Sequence, residues 1–470
     1  MKLPLLGGAY QASSLIASAQ RCVNLYPEQN PGDAEFPTTY HLTPGLVLRA
    51  TAPLRAFRGL FTASSGDLFA VVANSVYRVL EDWSFTLLGT VASTSGPVSM
   101  EDNSLTLVIV DGTEAGYTVD LTTYDFAQIN DPGFYGSPRV SVLDDFMIFN
   151  QPGTRQFYVT GALAVTFDPL DIAAKNGAPD KTVANAVVNG VIWIFGQRTT
   201  EIWYNSGDAD FAFSRYPGVF IQHGCAAAAT VSNVDTSVYW LSSDDKGAAF
   251  IFRSSDMSAL RISTHALEAE MKGYPRVDDA FAYSHTENGH TFYTITFPSA
   301  EKTWSFDLAT SQWHQRAGLA PDGTLLRHRA ACFARWNGMQ LVGDWETGAL
   351  YEMTSDAYDD AGTPMIHIRS FPAISNEKKR IFLDRFVLDM EVGESPVDVE
   401  EPQVRLRWSD TRGRTWGNYI SRGLGARGEF GKIVSFNRCG RAVERVFEVS
   451  WSAKVKTALN GAYIDSELGA

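Results

Sequence analysis

The chain has 470 residues, 45 % of them apolar and 12 % aromatic, which is material for two or three packed domains and excludes a disordered polypeptide. Its 53 acidic and 39 basic side chains leave a net charge of −14, so the molecule as a whole repels polyanions and is not built to grip duplex DNA. No stretch approaches about 18 continuous apolar residues, so no membrane span is expected, and 39 Gly with 20 Pro against few helical patterns point to an all-β chain.

Residues 1–54 are rich in Gly, Pro and isolated hydrophobic residues, Pro27-Glu28-Gln29-Asn30-Pro31-Gly32-Asp33 among them, and read as an extended N-terminal arm that needs another surface to order it. Lys2, the leucines and Ala17-Ser18-Ala19 imitate a secretory leader, but Gly7, Gly8, Gln11, Ser13 and Ser14 interrupt the apolar run, and export is not expected. The four cysteines, Cys22, Cys225, Cys332 and Cys439, stand more than 100 residues apart without metal-ligand spacing. Buried thiols made in a reducing cytosol are expected, with no metal and no cofactor.

Alternation predicts strand pairs at 68–73 with 76–79, 105–110 with 117–120 across Asp111-Gly112, and 146–149 with 157–159. Asp168-Pro169 predicts a short helix that ends near Gly177. The pairs resume at 183–188 with 191–195 across Asn189-Gly190, continue through Trp203 and Tyr204, and recur at 238–241 with 250–252. A second helix is predicted over 264–272, with Pro275 just past its end. The richest stretch, 290–316, alternates β-branched and aromatic residues, breaks at Pro298, alternates again through Trp304 and Phe306, and turns at 307–310 beneath Trp313. A last pair is predicted at 339–342 with 350–353.

An aromatic residue closes the second arm of each hairpin, at Tyr77, Tyr117, Tyr158, Tyr204, Phe252, Phe306 and Tyr351, at intervals of 40, 41, 46, 48, 54 and 45 residues. Four-stranded propeller blades recur at about 40 to 50 residues, and a single hairpin cannot bury its own apolar faces. The expected fold is therefore a β-propeller of about seven hairpin units over 55–363, with a large β-sandwich of evenly spaced turns as the alternative. Composition shifts at 356–364, and the alternating segments 380–390, 404–408, 433–436 and 443–451 suit a separate C-terminal β-sandwich platform over 364–470, on which the arm of 1–54 would pack. Residues 402–456 hold 12 Lys or Arg against 4 Asp or Glu, a net of +8, so the rest of the chain carries −22 of the total of −14.

The signals for chemistry are weak. Ser409-Asp410-Thr411-Arg412-Gly413-Arg414-Thr415-Trp416 resembles the Asp-box turn of sialidases and related propeller hydrolases, but Thr411 stands at the Asp position, and even a complete Asp-box is a structural turn. Gly423-Leu424-Gly425-Ala426-Arg427-Gly428 spells a dinucleotide fingerprint, yet Ile433-Val434-Ser435-Phe436 after it is a strand, so a glycine loop is expected. His285 and His290 flank Thr-Glu-Asn-Gly and lack the one-turn spacing of a helical metal pair, which predicts an exposed hairpin tip. No nucleophile elbow is present, and 304–313 has the look of a kelch-type packing motif.

One combination goes beyond fold grammar. Arg21-Cys22-Val23-Asn24-Leu25-Tyr26-Pro27-Glu28, Ile192-Trp193-Ile194-Phe195-Gly196 leading to Glu201-Ile202-Trp203-Tyr204-Asn205, Val238-Tyr239-Trp240-Leu241, Arg261-Ile262-Ser263-Thr264, Thr303-Trp304 and Leu406-Arg407-Trp408-Ser409 before Thr415-Trp416 together resemble the packaged-DNA stabilisation proteins of short-tailed phages, also called tail hubs or nozzles. The resemblance implies a non-enzymatic virion component made in the bacterial host cytoplasm. It further implies a homo-hexameric ring below the portal and its adaptor, with a tail spike or fibre and a needle or plug as further partners. Packaged double-stranded DNA would pass through without sequence-specific binding. Asn24, Tyr26, Pro27 and Glu28 of the arm are the candidate contact residues, together with Arg405, Arg407, Arg438 and Arg441, arginine being suited to carboxylate pairing at interfaces. A sialidase-like propeller glycoside hydrolase and a kelch-type binding propeller are the alternatives.

Overall fold

The structure, a computed structural model, describes residues 1–470 except 13, 15–17, 395–400 and 469–470. Ser13 and Ala17 of the leader-like stretch and part of the platform thus lie outside the described residues.

Seven antiparallel four-stranded units follow one another among the described residues. The first is built from Phe57–Thr62, Leu68–Val72, Ser75–Val79 and Phe85–Thr90. Its second strand is buried on both faces, because blades stack face to face and each side of a sheet meets a neighbour. Leu68, Ala70 and Val72 pack towards Ala334, Trp336 and Leu341 of the seventh blade. Phe69 and Val71, pointing the other way, pack against Leu107 and Ile109 of the second. The same division sends Trp193 and Phe195 to the core shared with the fifth blade, and Ile192 and Ile194 to that shared with the third. All seven aromatic residues of the repeat lie on the third strand of successive blades.

The first strands surround the axis, and Ala330–Trp336 packs on Phe57–Thr62 to close the ring. The seventh blade obtains its fourth strand from Gly45–Thr51, which pairs antiparallel with Ala349–Thr354. That segment, expected in the arm, is therefore part of a blade. Turns follow the local chemistry: Asn189-Gly190 has φ of 52° and 72°, the left-handed pair that a two-residue hairpin demands.

Of the two predicted helices one forms. His265–Met271 is capped by the Thr264 side chain, which accepts from the Leu267 amide at 3.3 Å. At Asp168 the carboxylate accepts from the Leu170 amide at 2.9 Å in a tight turn, and Ile172–Ala174 then pairs with Gln156–Val159 to complete the third blade. Local helix signals lose there to the need for a fourth strand. His285 and His290 are also not at the exposed tip, which is Asn288-Gly289; both are buried, His285 stacked on Phe292 and His290 2.9 Å from Asp307. The predicted turn over Asp307 holds, its carboxylate accepting from the Ala309 amide and the Thr310 hydroxyl.

The C-terminal part is a β-sandwich. One sheet is ordered Val434–Ala442, Ile381–Met390, Ala458–Leu468, Thr38–Leu42, Leu25–Gln29, with Lys2–Pro4 also on Ala458–Leu468. The other carries His367–Ser370, Glu444–Trp451, Gln403–Ser409 and Ile420–Gly423. Leu383, Phe386 and Ile464 of the first face Leu406, Phe447 and Trp451 of the second in one core. The Asp-box-like segment is a turn held by Ser409, whose hydroxyl accepts from the amides of Thr411 and Gly413, and Gly423 to Gly428 form a loop. The cysteines are free, three buried and Cys332 half-buried.

Candidate assembly interface

Propeller and sandwich are joined by the arm. Cys22–Val23 lies parallel to Gln312–Arg316 of the sixth blade and antiparallel to His367–Ser370, so that one continuous sheet runs from blade into sandwich. The chain then turns at Asn24, in the left-handed region at φ 53°, where asparagine is among the most tolerant residues. Its side-chain amide donates to the carbonyls of Ala317 and Ile366 at 2.8 and 2.9 Å, and its carbonyl oxygen accepts from the Ala317 amide at 2.9 Å. Tyr26 packs edge-on against His290 and Phe292, with ring centroids 5.0 and 5.3 Å apart. Asn24, Tyr26 and Pro27 are thus buried inside the chain; Glu28 alone of the four arm candidates is exposed, paired with His41 at 2.8 Å.

Two buried charges hold the joint, and neither stands out in the local pattern. Arg369 is fully buried, and its guanidinium donates to the carbonyls of Leu6, Gly7 and Arg21 at 3.1 Å, of Gly8 at 3.4 Å, and to the Gln20 side chain at 2.9 Å. It lies over the ring of Tyr40 at 4.7 Å. Burial pushes the neighbouring Cys22 thiol up to about 11, against the pull of Arg369, so the sulfur is an inert proton-bearing group. Glu448, also fully buried, accepts from Arg407 Nε at 2.8 Å, from Arg21 at 3.4 Å and from the Ser370 hydroxyl at 2.8 Å. The one available signal was parity: Arg369 shares its strand face with His367, on the side that enters the core.

The four sandwich arginines divide. Arg407 is committed to Glu448 and lies over Trp416 and Tyr419, both at 4.7 Å. Arg405 is half-buried over Tyr419 at 5.0 Å. Arg438, in the middle of Val434–Ala442, and Arg441, near its end, are exposed. Among the described residues no group of three or more His, Cys, Asp or Glu could hold a metal ion, and no helix is long and apolar enough to cross a membrane.

The family model described as bacteriophage P22 Gp10, beta-propeller, matches residues 1–358, and that described as bacteriophage P22 Gp10, beta-sandwich, matches residues 367–467. The chain belongs to the Gp10 family. Gp10-family proteins are structural virion proteins that stabilise packaged DNA, so the chain is a phage tail component and not an enzyme. No curated protein matches it. Among solved structures, the WD40 beta propeller domain of Doa1 is 13 % identical, covering 66 % of this chain and 97 % of that one at a TM-score of 0.42. The N-terminal domain of Nup159 is 10 % identical over 72 % and 99 % at 0.43, and U3-55K 10 % identical over 66 % and 99 % at 0.42. Scores this low carry no weight beside the Gp10 matches.

Proposed function

We propose that this Gp10-family chain is the hub, or nozzle, of a short phage tail. Six copies close a ring below the portal and its adaptor, hold the packaged DNA in the head, and form the passage by which it leaves. The two-part match to Gp10, over 1–358 and 367–467, is the observation that supports this reading. A tail spike or fibre and a needle or plug complete the set of partners.

The charge split gives the ring a physical logic. DNA moving through a tube is slowed by every Lys or Arg that pairs with a phosphate, so the passage should be acidic or neutral and the basic sandwich should face elsewhere. We place it against an acidic surface of the adaptor, with Arg438 and Arg441 as the outermost contacts because both are exposed, and Arg405 beside them. Arg407 supports the surface from below through Glu448. The experiment has two parts. The mass of the purified chain, alone and with DNA-free adaptor assemblies, should reach six copies per ring, and a monomer under every condition would exclude the hub. Arg438→Glu with Arg441→Glu should block attachment to those assemblies; normal attachment with leakage of DNA would mean that the arginines grip DNA instead.

A further inference from the structure

A cleft of about 770 Å³ opens between the fourth and fifth blades. Its walls are the turn after Val191–Gly196, the turn after Ser237–Ser243, and the connection from the fourth blade to the fifth, residues 216–231. That size falls within the range of about 300–1,000 Å³ in which small molecules bind.

The walls are rigid without any ligand. Thr200 and Ile221 exchange backbone hydrogen bonds at 2.9 and 3.1 Å, the Cys225 amide donates to the Gly196 carbonyl at 2.8 Å, and the Thr200 hydroxyl donates to the His223 carbonyl at 2.7 Å. Asp180, paired with the fully buried Lys175, receives the amides of Arg198 and Thr199 at 2.8 and 3.0 Å. On the floor, Gly177 lets Phe220 approach closely, since a Cβ there would come 2.6 Å from the ring. A site that is ordered in advance binds without the cost of ordering it.

Within this frame the cleft shows rings and uncommitted polar groups. Phe220 is 38 % exposed. His223, exposed on one side, stacks on Phe252 with centroids 4.2 Å apart, and Phe250 lies beside it under the guanidinium of Arg261 at 4.6 Å. Among the described residues, neither the Gln222 amide nor the His223 ring makes a hydrogen bond to protein. The charges, by contrast, are spent. Arg198 pairs with Asp245 at 3.0 Å, Arg261 is held by Glu268, and Asp244 accepts from the amides of Lys246 and Ala248. Burial, helped by Arg261, holds the His223 imidazole below its ordinary range, in the neutral form that both donates and accepts.

Each observation selects against other ligand classes. A polyanion would have to compete with Asp245 for Arg198 and with Glu268 for Arg261, and a purely apolar ligand would leave the amide and the imidazole without partners. A ring with one apolar C–H face and a fringe of hydroxyls satisfies both, lying on a phenyl face while Gln222 and His223 meet its hydroxyls. We infer that the cleft between the fourth and fifth blades, with Phe220 as its platform and Gln222 and His223 as its polar contacts, binds a neutral saccharide.

The test is calorimetric titration of the full-length chain with hexasaccharides of glucose, of mannose and of galactose, beside hexagalacturonate and a phenylalanine-containing hexapeptide. At least one neutral hexasaccharide should saturate the chain. Phe220→Ala should weaken it by about tenfold or more and Phe220→Trp should restore it, consistent with the loss of an aromatic contact. Phe220→Trp should melt with the parent, which keeps the test sound if Phe220→Ala, at a partly buried position, melts lower. Failure of all three neutral probes to bind, binding unaffected by Phe220→Ala, or tighter binding of the uronate or the peptide would each overturn the inference.

Discussion

Arg369 offers the sharpest test of how the arm is held. Replacing it by Met keeps the bulk and the apolar stem but withdraws the donors that meet the carbonyls of Leu6, Gly7, Gly8 and Arg21. Leu6 and Gly7 lie near the surface and can take water, whereas Gly8 is buried and Arg21 half-buried. The Arg21 carbonyl keeps the Ser370 amide at 3.0 Å, so one stranded acceptor, the Gly8 carbonyl, should disfavour closing the arm by about 1–3 kcal/mol. The assay is amide hydrogen exchange at Gly8, whose N–H donates to Gln312, and at Ala9, whose N–H donates to the Trp313 carbonyl. Exchange there should accelerate at least about fivefold, the equivalent of the lower bound, while propeller amides keep their protection. Parent-like exchange at both amides would refute the role given to Arg369.

Further outcomes follow from the packing. Trp304→Ala should cost about 3–5 kcal/mol, since the ring is buried between the fifth and sixth blades and its indole N–H donates to the Tyr274 hydroxyl at 3.0 Å; an unchanged urea midpoint would show that the ring faces solvent. Deleting residues 1–51 should open the propeller, because Gly45–Thr51 closes the seventh blade and its Leu46 is buried, whereas deletion to residue 44 strips strands from the sandwich but should leave the ring shut; hydrogen exchange at the amides of Ala349–Thr354 separates the two. Acid should destabilise the fold. Burial, aided by Arg316, holds His314 down to about 3, and burial, opposed by the Asn24 carbonyl, holds His367 at about 4. Burial and Arg316 also keep His285 and His328 well below their usual value. These four are neutral in the fold but protonate near 6.5 when unfolded, so each removes about 1.4 kcal/mol per pH unit as the pH falls below 6.5. Burial acts oppositely on Glu101 and Asp360, raised to about 7 and about 6, which regain part of that loss. Four groups against two leave a net loss, and a urea midpoint that is flat or rising from pH 6.5 to pH 5 would contradict it.

What was legible in the sequence is what repeats locally. The seven aromatic residues from Tyr77 to Tyr351 mark third strands because each blade must close its own hairpin, and Asn189-Gly190 and Thr264 act through neighbours a few residues away. What was not legible spans the chain. Gly45–Thr51 pairs with a strand some 300 residues later, and nothing in its own residues says so. Asn24 and Tyr26 carried a recognisable pattern, but they serve the joint between this chain's own propeller and sandwich, so only Glu28 of that group reaches the surface. Phe220, Gln222 and His223 sit in a connection without periodicity, and their convergence with Phe250 and Arg261 is produced by the stacking of two blades.

The central claim, that this chain closes the head as a ring, is tested most directly on DNA-filled heads that carry portal and adaptor and were matured in its absence. The quantity to measure is the nuclease-resistant fraction of the genome before and after adding the purified chain, together with the number of copies bound per particle. The account predicts leakage without the chain and retention with six copies bound. Equal retention with and without it, or retention at a stoichiometry incompatible with a closed ring, would contradict it.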